Sequence, residues 1–159
     1  MAYNQGGYNR GGYQNNRGGY QPRVEVPKKL PEGYLEGGYF ERKDGKSVLK
    51  RDYILGYPTQ IAELMVERDR NMNKSSQIRK YYDYCIRIRD MLHAGKDFGE
   101  VEAEFCRLSN FVAYAESRNL VSRLFVRFID RNIEAVRGKE DFFAFVKHFE
   151  AVVAHLKDK

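Results

Sequence analysis

With 159 residues, 42% of them hydrophobic and 31% charged, the chain suffices for one domain with a real core but not for two domains plus a long irregular segment. The net charge of +6 suits an anionic partner but is spread unevenly: residues 1–57 hold ten Lys/Arg against six Asp/Glu, and residues 58–159 hold eighteen against sixteen. No apolar run approaches the roughly 18 residues needed to span a bilayer, and the opening "MAYNQGGYNR" lacks a secretory h-region, so the cytoplasm is the expected location.

The first element in chain order is low-complexity. Gly-Gly-Tyr recurs at residues 6–8, 11–13 and 18–20, and again at 37–39. So little aliphatic surface cannot offset chain entropy, and residues 1–36 are expected to be a disordered Gly/Tyr/Arg-rich tail. Residues 37–57 form a lead-in, in which Asp44-Gly45 between β-friendly residues signals a turn or short hairpin. From Pro58 onward Ile61, Leu64, Met65 and Arg68 have helical spacing, predicting a short first helix.

A helical bundle is expected over residues 58–159. Ser75 or Ser76 is a candidate N-cap for a second helix ending at Gly95. On it Ile78, Tyr81, Cys85, Ile88 and Leu92 share one face, opposite Arg79, Lys80, Asp83, Arg87 and Asp90. Asp97 can cap a third helix, with Phe98, Val101, Phe105, Leu108, Val112 and Ala115 inward. In the fourth, Val121, Leu124, Phe125, Phe128, Ile129 and Val136 face the core, Arg123, Arg127 and Arg131 recur outside, and Gly138 can end the helix. A fifth turns Phe142, Phe145, Phe149, Val152 and Leu156 inward. The fold class is therefore all-α: a compact bundle of about five helices joined by short loops.

Cys85 and Cys106 have no CxxC or Cys/His neighbour set and are read as reduced core residues, and His148 and His155 as structural or exposed. No phosphate loop, HExxH, GxSxG or paired-carboxylate spacing is present, so no metal, cofactor or catalytic residue is expected and a binding protein is favoured over an enzyme. The competing enzymatic pattern is Arg87 followed by His93, the spacing of HEPN-like metal-independent ribonucleases; with sixteen arginines in the chain, about one such match arises by chance. The arginine faces of the second and fourth helices could be merely solvated, with internal pairs Arg79–Asp83 and Arg127–Asp130. Two helices with arginines concentrated opposite their apolar sides instead point to phosphate contact that is salt-dependent and indifferent to base sequence. The Tyr and Arg side chains of the tail offer another route to RNA, by stacking on exposed bases, which would make the bundle a scaffold for the tail.

"SSQIRKYYD", "FVAYAESR" and "FVKHFEAVVAHLK", in this order and spacing, with the lead-in "GGYFERKDGKSVLKRDYI", resemble the small subunit of type III-A CRISPR effector complexes, the Csm small-subunit family, over roughly residues 37–159. The resemblance implies a non-catalytic helical bundle present in several copies, stacked beside the guide-RNA-bound backbone subunits and contacting guide and target RNA in antiviral defence. Its implied partners are these RNAs, the backbone and large subunits, and further copies of itself. By motif position it marks Arg79, Lys80 and Arg118 as RNA contacts. With the charge faces, the expected RNA-binding set is Arg79, Lys80, Arg87, Arg118, Arg123, Arg127 and Arg131.

Overall fold

The computed structural model describes residues 26–69 and 71–157; the Gly-Gly-Tyr repeats before residue 21 lie outside the described residues. Strands β1 (Phe40–Lys43) and β2 (Lys46–Leu49) pair antiparallel, with Phe40 opposite Leu49 and Lys43 opposite Lys46. Asp44 and Gly45 both have positive φ, 51° and 75°, as the tight two-residue hairpin turn requires. The hairpin expected from Asp44-Gly45 is thus formed. A 3-10 turn at Arg51–Tyr53 leads into α1 (Tyr57–Leu64), followed by α2 (Ser75–His93), α3 (Phe98–Ser117), α4 (Arg123–Ala135) and α5 (Lys139–Ala154).

The all-α expectation holds: among the described residues five α-helices surround one core, with the hairpin as a small appendage. Helix α2 packs against α5 and α3, α3 against α4, and α1 against α5. The buried side chains of α2 are Ile78, Tyr81, Cys85, Ile88 and Leu92, which is the three-and-four stripe of the sequence. The centre is aromatic. Phe105, Phe125, Phe128, Phe142, Phe145 and Phe149 are all essentially inaccessible, and the ring centroids of Phe128 and Phe149 lie 5.5 Å apart. Truncating any one to Ala would cost roughly 3–5 kcal/mol.

Several local expectations are corrected. Helix α1 stops at Leu64, before Arg68, and the carbonyls at and just beyond its end are satisfied by side chains from other segments. Lys28 Nζ donates to Leu64 O (3.0 Å) and Val66 O (2.6 Å), and Asn73 Nδ2 donates to Met65 O (2.9 Å). Asn73, at φ 56°, is also held through its backbone N–H to Leu120 O at 3.0 Å. That anchor starts α2 early, so Lys74 takes the N-cap position without a side-chain bond and Ser75 is already helical. Asp97 does cap α3, accepting from Glu100 N at 3.0 Å. Gly138 opens α5 rather than closing α4, whose C-cap is Val136. Cys106 is exposed, since it follows Phe105 and so turns off the buried stripe of α3; only Cys85 is in the core, where burial pushes its thiol pKa well up. Leu156 lies beyond the end of α5 and is half-buried.

The boundary expected after residue 36 falls within the folded part. Tyr34 and Leu35 are buried, and Tyr34 joins a polar network inside the bundle. A single tyrosine in a Gly/Pro-flanked segment has no period, which is why its burial is invisible to a search for helical or strand spacing.

Candidate nucleic-acid interface

On α2 the apolar stripe faces α3 and α5, so Arg79, Lys80 and Arg87 are left exposed on the other side. The pair Arg79–Asp83 is not formed: among the described residues neither side chain has a salt-bridge partner within 4 Å. Arg87 instead lies 5.6 Å from the ring centroid of Tyr84. Tyr84 is tied to the neighbouring helix by donating to Glu104 O at 2.5 Å, so it gives Arg87 a fixed backing.

Arg118 is the C-cap of α3, not a residue of α4. It is exposed; its Nη1 donates to the Tyr114 hydroxyl at 2.9 Å, and its guanidinium sits 5.7 Å from that ring's centroid. The chain then turns at Asn119 (φ 57°) and enters α4 through Ser122, whose Oγ accepts from Phe125 N at 3.3 Å. Helix α4 buries Leu124, Phe125, Val126, Phe128, Ile129 and Asn132, which leaves Arg123, Arg127 and Arg131 on the exposed side.

These three arginines are not equivalent. Arg123 pairs with Glu116 at 3.2 Å, an exposed contact worth well under about 1 kcal/mol. The expected partner of Arg127, Asp130, instead accepts from Ser109 Oγ at 2.6 Å, and among the described residues Arg127 has no ion pair. An open groove of about 810 Å³ brings Arg123 and Arg127 together with Lys28 and Arg68. The acids Glu67 and Glu116 also line it, and Val26, Val66 and Leu124 supply apolar surface. Lys28 and Arg68 were not foreseen as members of the site: Lys28 lies in a stretch without periodicity, and Arg68 shares the periodic spacing of the first helix, which ends at Leu64. The groove does not include Arg79, Lys80, Arg87, Arg118 or Arg131.

The histidines are placed elsewhere. His148 is buried, and its pKa is lowered from 6.5 to about 4 by burial, while His155 is the exposed C-cap of α5. Arg87 and His93 lie six residues apart on α2, which separates them by roughly 9 Å along the axis and about 120° around it. The His93 ring packs on Phe143 at 5.0 Å. Among the described residues no group of three His, Cys, Asp or Glu side chains could hold a metal ion, and no helix is long and apolar enough to cross a membrane.

A family model described as Csm2 Type III-A matches residues 54–158, about two-thirds of the chain and all five helices. No curated protein and no solved structure matches it.

Proposed function

The chain belongs to the Csm2 family, the small subunit of type III-A CRISPR complexes, and from that premise we propose that it is a non-catalytic RNA-binding subunit of such a complex. In this role it stacks in several copies beside the backbone and large subunits in the cytoplasm. It contacts the sugar-phosphate backbones of guide RNA and target RNA without reading their sequence, in antiviral defence.

One observation carries the RNA contact: Arg79 and Arg127, on the polar faces of two different helices, are exposed and free of ion pairs among the described residues. A guanidinium already paired must give up its carboxylate to bind phosphate; an unpaired one gives up only water. Arg123, paired with Glu116, is therefore the weaker contributor on α4. Lys80, Arg87, Arg118 and Arg131, all exposed, are the further contacts of this proposal. Contacts of this kind position a duplex and leave recognition of sequence to base pairing between guide and target.

The test is charge reversal. The double variant R79E/R127E should bind RNA at least about tenfold more weakly, with the slope of log affinity against log salt shallower by about 1 per lost phosphate contact. Its far-ultraviolet circular dichroism should match the parent, because both side chains are exposed. Unchanged affinity and slope would remove both arginines from the interface.

A further inference from the structure

Eight tyrosines lie among the described residues, and seven of them, Tyr34, Tyr39, Tyr53, Tyr57, Tyr81, Tyr82 and Tyr84, pack against another aromatic ring. Tyr114 packs against no aromatic ring among the described residues and is 64% exposed, the one exposed tyrosine or phenylalanine among them. It is nevertheless not loose. Arg118 holds its hydroxyl at 2.9 Å, on the helix turn that follows. The Arg118 guanidinium lies 5.7 Å from the ring centroid, yet most of the ring stays exposed, so the side chain contributes little to folding and is already oriented for a planar ligand.

Its surroundings decide which ligand. Arg107, Phe111 and Tyr114 on α3 and Arg118 at its C-cap follow one another at helical spacing, so they form a single stripe in which two aromatic rings are flanked by guanidiniums. Phe111 is already engaged, by Arg107 at 5.2 Å and edge-on by Tyr84 at 5.4 Å. Tyr114 is the ring of the stripe with no aromatic partner among the described residues, and the group beside it is the Arg118 guanidinium. An aromatic anchor for a protein partner sits at the centre of an apolar patch ringed by polar residues. The neighbours of Tyr114 along this stripe are instead a ring already covered and an arginine. A nucleotide matches that pairing, since a base stacks on the ring while its phosphate meets the guanidinium.

We propose that Tyr114 is a stacking platform for an unpaired RNA base, with Arg118 beside it to hold the adjoining phosphate. This extends the RNA-binding role proposed above and rests on it. It adds a contact of a different kind, to a base where the strand is single, next to the backbone contacts of the arginine faces.

The test uses the full-length chain with single-stranded polyadenylate and an abasic oligoribonucleotide of the same length. Y114A should weaken binding to polyadenylate roughly 5- to 150-fold, the range of one base–aromatic stack, with little change in the salt slope. Binding to the abasic strand should not change. Y114F, which keeps the ring, should stay within about threefold of the parent. If the parent binds polyadenylate and Y114A binds it equally well, the platform is overturned while the arginine contacts stand. Equal weakening on both strands would also overturn it, because the contact would not involve a base. A parent protein that binds neither strand removes the RNA-binding role and the platform together. If Y114A instead changes the sedimentation of the free protein and leaves RNA affinity unmoved, Tyr114 belongs to a protein contact and the proposal fails.

Discussion

The environment of His148 dictates its protonation. Its Nδ1 lies 2.6 Å from Tyr53 O, which can only accept, so the proton is on Nδ1 and the unprotonated Nε2 accepts from the Tyr34 hydroxyl, also at 2.6 Å. The Tyr34 oxygen in turn accepts from Asn132 Nδ2 at 2.9 Å, and Tyr39 donates to Asn132 Oδ1 at 2.7 Å. Every member is satisfied only while the imidazole is neutral, and burial lowers its pKa from 6.5 to about 4. Between these values the unfolded chain binds a proton that the folded chain refuses. Stability from this group is therefore complete above pH 6.5 and falls as the pH drops toward 4, by up to roughly 3 kcal/mol. Urea unfolding at pH 7 and pH 4.5 should show a larger loss for the parent than for H148Q, which keeps the carboxylates and lacks the titration. Equal losses would mean that His148 is not neutral in the folded state.

At the level of elements, two helix N-caps that look alike should differ in worth. Asp97 is exposed and caps α3 alone, so D97A should cost about 1 kcal/mol. Ser122 is buried, caps α4, accepts from Asn73 Nδ2 at 2.8 Å, and donates its backbone N–H to Asn73 Oδ1 at 2.8 Å. S122A would lose the cap and leave an amide proton of Asn73 without its partner, so roughly 2–3 kcal/mol is expected. Denaturation midpoints of the two variants check the order, and a smaller loss for S122A would contradict it. Both caps have a partner three residues away, within reach of a local reading, but the bonds that make Ser122 worth more were not legible, because Asn73 is 49 positions distant. The same distinction runs through the whole reading. The buried faces of α2, α3 and α5 follow from local period, and so does the exposure of the arginines opposite them. Which arginines are paired does not, because Ser109–Asp130 and Glu116–Arg123 depend on how α3 meets α4.

For the molecule as a whole, what matters is where the folded unit begins. Lys28 ties the incoming chain to the end of α1 and pairs with Glu67 at 3.1 Å, while Tyr34 and Leu35 fill the space between Tyr53, Tyr57 and His148. A chain starting at Gly37 would lose a buried tyrosine and a buried leucine and would leave His148 Nε2 without its donor. Against one starting at Val26 it should be less stable by roughly 5 kcal/mol or more, a large part of the 5–15 kcal/mol that a domain possesses. Deletion of residues 1–36 is thus a misleading test of the Gly-Gly-Tyr tail, since loss of RNA binding would also follow from unfolding. The chain starting at Val26 separates the two, because it retains Lys28, Tyr34 and Leu35. If the bundle surface carries RNA binding, this chain keeps it. Its salt slope should then fall by no more than about 2, the share of Arg10, Arg17 and Arg23 on single-stranded RNA. If the chain melts cooperatively yet no longer binds RNA, binding belongs to the first 25 residues, and the arginine faces of α2 and α4 must serve a neighbouring subunit instead.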